Sequence, residues 1–296
     1  QMRHHPLRAE IIATKLTNQM INTMGFNYVY RMQEETGATV TDIAHAYSIV
    51  SGVYDMPQLW ESIQGLDNHV DANVQLALHN EMRRSLRRAA RWFIREATKF
   101  ASIDAAIAFY RPVFCELRNN VKAYLDASEV SALETLTQHY NEAGVPYELA
   151  HAVSVLSNCF STFDLAHVVE QTDVAIEVAA RAYYQLGHQL QLHWFLEQIN
   201  AISVNNHWQA LARASCREEL DHQQRILTAA FLNTQSDIGD VVACDTALQA
   251  WFNKHAPLVE RWCSMMSEFK TSSNHEFAKF SVALRELLLF GNKVSH

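Results

Sequence analysis

The stretch ANVQLALHNEMRRSLRRAARWFIREATKF, residues 72–100, is the longest uninterrupted helical pattern in the first half of the chain. Its large apolar positions recur at intervals of three and four residues, which places them on one face of an α-helix. These positions are Leu78, Met82, Leu86, Ala89 and Phe93. A helix of this length would reach roughly 40 Å at about 1.5 Å per residue. The pattern predicts a long amphipathic helix that forms the spine of the fold.

The other face of this predicted helix carries six arginines within an arc of roughly 140°. They are Arg83, Arg84, Arg87, Arg88, Arg91 and Arg95, and we call them the arginine stripe. Guanidinium groups suit carboxylates and phosphates, so the stripe is a candidate anion-binding or interface surface. It could instead be a solvated face paired with local carboxylates such as Glu81 and Glu96. If it binds, an acidic protein surface or a nucleotide-like effector is favoured over nucleic acid.

Helical patterns continue along the rest of the chain, while strand alternation is scarce. Only 8 Gly and 5 Pro interrupt 296 residues, of which 49% are hydrophobic. We therefore predict an all-α fold, a multi-helix bundle with no Rossmann fold. The most regular predicted helices cover residues 7–24, 26–36, 72–100, 190–202, 242–254, 257–269 and 275–290.

Capping and helix-breaking residues predict where several helices begin and end. Predicted N-caps are Thr41 or Asp42, Asp55, Asp173, and Asn205 or Asn206. Gly187 is expected to end the helix that starts near Asp173. Pro112 is expected to break or kink a helix that opens at Ser102 or Asp104, because its ring removes an N–H and clashes with the preceding turn.

The clearest break in the chain is the segment around Gly144 and Pro146. Glycine suits a helix C-cap and proline suits the start of the next helix. We predict a boundary here between two packed helical subdomains, residues 1–144 and 145–296. A superhelical stack of helix pairs stays open as an alternative.

Several common catalytic motifs are missing from the sequence. The chain has no G-x-G-x-x-G, and even the two glycines closest to each other in sequence, Gly25 and Gly37, are twelve residues apart. It also has no P-loop, no G-x-S-x-G and no H-E-x-x-H. We predict no catalytic residue and no cofactor-binding residue in this chain.

Charge and hydropathy narrow the range of partners. The formal net charge of −8 argues against nucleic-acid binding. No apolar run comes near the roughly 18 to 20 residues that cross a bilayer, and no leader pattern precedes the first helix. We expect a cytoplasmic protein with no membrane partner. The five cysteines contain no C-x-x-C and are expected to be buried free thiols.

Two Glu-x-x-His pairs, Glu148 with His151 and Glu219 with His222, match part of a di-iron helical bundle. Such a centre also needs two inward glutamates on two other helices. The charged neighbours of the second pair favour a solvated face. Other histidines, such as His188, are expected to be ordinary surface or core-edge side chains, so no metal site is predicted.

Several segments in order along the chain resemble a known family. They are His5–Leu16, Arg31–Ala38, Leu186–His188, Leu192–Trp194, Trp208–Ala214 and Ser281–Leu287. Together they resemble the region that follows the catalytic domain in the large bacterial NAD-specific glutamate dehydrogenases. Each matching segment is a packing pattern, and none is a catalytic signature.

The resemblance implies an activity that lies outside this chain. The family oxidises L-glutamate to 2-oxoglutarate and ammonium with NAD, and its substrate-binding lysines, catalytic acid and Rossmann half would lie upstream. Because the chain begins with Gln1, we expect it to be a piece of a longer polypeptide. The implied partners are the upstream catalytic domain and further copies in a homo-oligomer. The implied role is domain packing, subunit assembly or regulation, with NAD as cofactor of the parent enzyme only.

Two other functions stay open at this point. The chain could be an independent helical scaffold that recruits a protein partner, or, third, a di-iron carboxylate bundle protein. The scaffold differs from the first interpretation in having no dehydrogenase attached.

Overall fold

The structure is a computed structural model that describes residues 6–96, 99–235, 238–271 and 277–294. Within these ranges every regular element is a helix, which confirms the all-α prediction. The first helices are α1 (Arg8–Met24), α2 (Tyr28–Thr36), α3 (Val40–Val53), α4 (Met56–Gln64), α5 (Ala72–Glu96), α6 (Ile103–Asn120) and α7 (Ala127–Glu142). They are followed by α8 (Tyr147–Ser154), α9 (Thr162–Thr172), α10 (Ile176–Gln189), α11 (Leu192–Ala201), α12 (His207–Asn233), α13 (Val241–Lys254), α14 (Ala256–Thr271) and α15 (Phe277–Val294).

The chain divides into two compact units. Unit 1 comprises Gln1–Arg118 and Ser131–Phe160, and unit 2 comprises Asn119–Val130 and Ser161–His296. These bounds differ from those of the predicted subdomains, 1–144 and 145–296. The predicted subdomains are folding units, and their existence stays a prediction. The local break at Gly144 is present, with a left-handed φ of 94°.

Unit 1 is built on α5, as the sequence predicted. The five apolar positions of its spine face, 78, 82, 86, 89 and 93, are all buried. This face packs against α3, and α2, α4 and α8 also contact α5. From α3, Ile43, Tyr47 and Val50 contribute fully buried side chains. Burial of these faces supplies the main stabilising free energy of the unit.

Unit 2 is built on α12, which contacts α9, α10, α11 and α15. Its side chains Leu220, Leu227 and Phe231 are buried. The prediction that Gly187 ends a helix is wrong, because α10 continues to Gln189. A Cβ at Gly187 would lie 2.7 Å from Nε2 of Gln224. The glycine therefore allows α12 to approach closely.

The predicted caps have mixed outcomes. Asn206 caps α12, with its side chain accepting a hydrogen bond from the N–H of Gln209 at 2.9 Å. Asp173 does not start a helix; it ends α9 in the left-handed conformation, and α10 begins at Ile176. An aspartate tolerates that conformation and can therefore serve at either end.

The cap of α3 is Thr39, and not Thr41 or Asp42. Asp42 is the third helical residue and completes a capping box, because its carboxylate accepts the N–H of Thr39 at 3.1 Å. Asp55 precedes α4 as predicted, but it has a φ of 52° and makes no side-chain cap bond. Its carboxylate instead accepts hydrogen bonds from Arg111 and Arg118.

Further local features agree only in part with the expectations. Helix α6 runs through Pro112, so the expected break does not occur. The side chain of Trp208, the second residue of α12, is 78% exposed. The five cysteines are free as predicted, although Cys115 and Cys263 are only partly buried. Burial raises the pKa of Cys244 to about 12, so this thiol is poorly reactive at neutral pH.

One segment contradicts the expectation that no apolar run is long enough for a bilayer. Tyr147–Thr172 reaches the required length and hydropathy, but 72% of its most apolar window is buried within the protein. It also consists of α8, a 3-10 segment (Val155–Ser161) and α9. Burial in the core accounts for its composition.

Parts of two predictions fall outside the described residues. They concern positions 97–98 of the predicted spine helix and positions 275–276 at the start of the predicted helix 275–290.

Replacing Leu78 by alanine should lower the free energy of unfolding by about 2–5 kcal/mol, because it removes buried methyl groups and leaves a cavity. Leu76 is a matched control on the same helix, since 51% of its surface is exposed while Leu78 is fully buried. Leu76→Ala should change the free energy by less than about 0.5 kcal/mol. Urea unfolding followed by circular dichroism measures both, and equal losses would contradict the assignment of the spine face.

Candidate functional site

Half of the arginine stripe binds the C-terminal end of α2. Nη1 of Arg91 lies 3.0 Å from Oε2 of Glu35, and Arg87 pairs with Oε1 of the same carboxylate. Arg95 donates to the backbone oxygen of Glu35 at 3.3 Å. The last turn of a helix is its negative end, so it favours nearby cations. These contacts hold α2 against α5.

Two further arginines of the stripe contact unit 1 through backbone and aromatic groups. Nε of Arg83 donates to the carbonyl of Thr23 near the end of α1 at 2.6 Å, and its guanidinium lies 5.4 Å from the ring centre of Trp60. The guanidinium of Arg88 lies 3.4 Å from the ring centre of Phe160. Both arrangements permit cation–π attraction.

Arg84 is an exposed member of the stripe. Its side chain is 74% exposed and pairs with Glu81 at 3.0 Å. Arg91, by contrast, is buried. The stripe is thus only partly a surface, and its role toward an external anion or partner stays a prediction.

A second polar site forms in unit 2 around the first turn of α7. The N–H of Glu129 donates to Oδ1 of Asp126 at 2.8 Å, and the N–H of Asp126 donates to Oε2 of Glu129 at 3.0 Å. This reciprocal pair is a capping box, which satisfies two backbone N–H groups at the helix start. Only 5% of the Glu129 side chain is exposed.

Two histidines complete this site. Nε2 of His188, in the last turn of α10, lies 2.7 Å from Oε2 of Glu129. Nδ1 of His193, in the first turn of α11, lies 2.9 Å from Oε1, and its Nε2 lies 3.3 Å from Oε1 of Glu197. We call Asp126, Glu129, His188 and His193 the Glu129 cluster.

The pKa values in the Glu129 cluster follow from these contacts. Burial alone would raise the pKa of Glu129, but hydrogen bonds from His188 and His193 outweigh it and hold this pKa well below its usual range. The hydrogen bond that His193 donates to Glu129 raises the pKa of His193. Burial also works against ionisation of Asp126, yet hydrogen bonds from the N–H of Glu129 and the hydroxyl of Ser128 lower its pKa. Both carboxylates are therefore ionised at neutral pH.

Sequence reasoning missed the Glu129 cluster. The D-x-x-E spacing of Asp126 and Glu129 before an apolar run is a readable capping signature. Nothing in the sequence pairs Glu129 with His188 or His193, which follow 59 and 64 residues later. Both histidines are partly exposed, as expected for core-edge side chains, and both contact the buried carboxylate of Glu129.

The two Glu-x-x-His pairs lie in different compact units. In the second pair, Glu219 accepts a hydrogen bond from Gln223 at 2.8 Å, and Nδ1 of His222 accepts one from Arg225 at 2.7 Å. Within the described ranges, neither pair belongs to a group of three or more metal-ligating side chains. The arrangement of these residues gives no support to a di-iron centre.

A third feature is an apolar face of α1 that is only partly covered. Ile12, Leu16 and Met20 are four residues apart and so share one face. Met20 is 4% exposed, Leu16 is half-buried, and Ile12 is 47% exposed. Nearby, Phe26 is 80% exposed. This face of α1 is therefore buried near the C-terminal end of the helix and becomes exposed toward its N-terminal end.

Comparison with known proteins gives consistent matches along the chain. A family model described as glutamate dehydrogenase, C-terminal, matches residues 1–288. The chain is 35% identical over 297 residues to the NAD-specific glutamate dehydrogenase of Pseudomonas aeruginosa, and this match covers 100% of the chain. It is 33% identical over 288 residues, or 97% of the chain, to the protein of the same name from Halomonas elongata. The chain spans only 18% of the length of each of these relatives.

Replacing Glu35 by glutamine should lower the free energy of unfolding by about 1–3 kcal/mol, because it removes the charge that pairs with the buried Arg91. Glu81→Gln is the control, since it removes the same charge from an ion pair with the exposed Arg84. This change should cost less than about 1 kcal/mol. Denaturant unfolding of both variants measures the difference. A Glu35→Gln variant as stable as the wild type would show that the ion pairs of Glu35 with Arg87 and Arg91 do not stabilise the fold.

Proposed function

The chain belongs to the glutamate dehydrogenase C-terminal family, and from this membership we propose that it is a non-catalytic helical region of a large NAD-specific glutamate dehydrogenase. In this proposal the complete polypeptide converts L-glutamate, NAD⁺ and water to 2-oxoglutarate, ammonium, NADH and a proton. The relatives that carry this name are more than five times as long as the chain, which covers 18% of them. The remaining length leaves ample room for a catalytic domain.

A non-catalytic role is supported by the residues of the chain. Hydride transfer requires groups that position both glutamate and the nicotinamide. The sequence has no glycine-rich dinucleotide motif, and its arginine stripe is largely committed to contacts within unit 1. We therefore assign substrate and NAD binding to other parts of the polypeptide.

The exposed apolar face of α1 is the observation that best supports a role in packing against another domain. Contacts in the described part of the chain bury Met20 but leave Ile12 47% exposed on the same helix face. Exposed apolar surface that continues a buried face is typical of a contact with another domain. We propose that this face packs against the catalytic portion of the same polypeptide.

The proposal also covers assembly and location. We place the complete enzyme in the cytoplasm as a homo-oligomer, in which the helical region supports domain packing, subunit contacts or regulation of domain closure. Membership of the family supports these assignments, and the arginine stripe is a second candidate surface for such contacts.

The isolated chain should form no NADH from glutamate and NAD, whereas the complete polypeptide should be active. The assay follows absorbance of NADH for equal molar amounts of both proteins. Activity of the isolated chain would refute a non-catalytic role. Inactivity of both proteins would instead favour an independent helical scaffold.

An Ile12→Asp substitution in the complete polypeptide should weaken the packing of the region, because it introduces a charge into an apolar contact. We expect faster release of this region by limited proteolysis and a loss of activity of about tenfold or more. Thr14→Asp is the matched control, since Thr14 lies two residues away on the opposite, exposed side of α1. Equal behaviour of the two variants would exclude this face as a docking surface.

A further inference from the structure

The Glu129 cluster brings metal-ligating atoms together from three separate elements of unit 2. One ligand atom each from Asp126, Glu129 and His188 lie within 4.8 Å of one another. Nδ1 of His193 lies 2.9 Å from the other carboxylate oxygen, Oε1 of Glu129, and is not part of this group of three ligand atoms. We propose that this cluster binds a divalent transition-metal ion, with Zn²⁺ as the best match.

The donor set decides the class of metal. Two carboxylates and one imidazole provide three protein ligands. A tetrahedral zinc site with three protein ligands takes water or another group in the fourth position. Imidazole suits Zn²⁺, Co²⁺ and Ni²⁺, whereas Ca²⁺ and Mg²⁺ prefer oxygen ligands only. The set therefore selects a first-row transition metal over the abundant alkaline-earth ions.

The electrostatics of the site also favour a cation. Glu129 is almost fully buried, and its carboxylate lies beside that of Asp126. Two neighbouring carboxylates in a partly buried place need positive charge to offset their desolvation and mutual repulsion. The N–H groups that donate to these carboxylates meet part of this need, and a divalent ion would add the positive charge.

Binding requires the three ligand atoms to move to a common spacing. In a tetrahedral site with bonds of about 2.0–2.1 Å, neighbouring ligand atoms are about 3.3 Å apart. The three atoms now lie within 4.8 Å of one another, and Nε2 of His188 lies 2.7 Å from Oε2 of Glu129. On binding, the proton in the hydrogen bond between His188 and Glu129 moves to the other ring nitrogen or to solvent, and the freed lone pair ligates the metal.

The two histidines are held in place by contacts outside the cluster. The turn that joins α10 to α11 is fixed by Trp262, whose Nε1 donates to the carbonyl of Leu190 at 2.7 Å. Lys270 donates to Oε1 of Gln191 at 2.6 Å in the same turn. On the other side, the capping box fixes Asp126 and Glu129 against the start of α7. Ligands held by packed elements lose little conformational entropy on binding.

Titration of the metal-stripped chain with Zn²⁺ by calorimetry should give one tight site per chain and a higher melting temperature. Co²⁺ should give visible absorption bands of a tetrahedral site with mixed nitrogen and oxygen ligands. Asp126→Asn is the most conservative test, because asparagine caps a helix as well as aspartate but lacks the carboxylate charge. It should keep the fold and weaken Zn²⁺ binding at least tenfold, as should His188→Gln.

Glu219→Gln is the control for zinc bound elsewhere, since Glu219 belongs to a Glu-x-x-His pair on α12 outside the cluster. It should bind Zn²⁺ like the wild type. Circular dichroism reports whether each variant is folded, and Zn²⁺ binding is compared with the wild type only for variants that are folded. No Zn²⁺ binding by the wild type, or binding unchanged by both Asp126→Asn and His188→Gln, would overturn the proposal. Because the readout is metal binding, it is independent of dehydrogenase activity and assembly.

Discussion

The need to give buried ionic groups a partner links distant parts of this chain. In unit 1 the buried guanidinium of Arg91 binds Glu35, 56 residues away, and this contact holds α2 on the spine helix. In unit 2 the buried carboxylate of Glu129 is hydrogen-bonded to His188, 59 residues away. A buried ion without a partner costs several kcal/mol. Each unit therefore tolerates its buried ionic group only when elements distant in sequence meet.

This requirement clarifies how one helix can bear both a core face and six arginines. The apolar face of α5 is buried by α3, while the arginines beside it bind neighbouring groups in unit 1. Long arginine side chains can lie along apolar surface and still place their charged ends near carboxylates, carbonyls or rings. The stripe looks like a binding surface in the sequence, but most of its members make contacts within unit 1. Arg84, with 74% of its side chain exposed, still faces solvent.

The family context gives the two units a common setting. Matches that cover the whole chain but only 18% of each relative indicate a region within a much larger protein. The partly covered face of α1 fits that setting, because a helix face that is core at one end and exposed at the other is incomplete in the isolated region. The Glu129 cluster, in contrast, is complete within unit 2 and needs no other domain to assemble.

The sequence by itself determined the helical fold, the spine helix with its buried face, and several helix ends such as Asn206. These features depend on residues within one or two turns, so local periodicity and capping chemistry predict them. It mispredicted Asp173 and Gly187, because the first suits either end of a helix and the second serves a close approach of Gln224. Only the tertiary structure decided that Glu129 meets His188 and His193, and that Glu35 meets Arg91. Such contacts close long loops, and their register depends on how whole helices pack, which the spacing of residues along the chain does not encode.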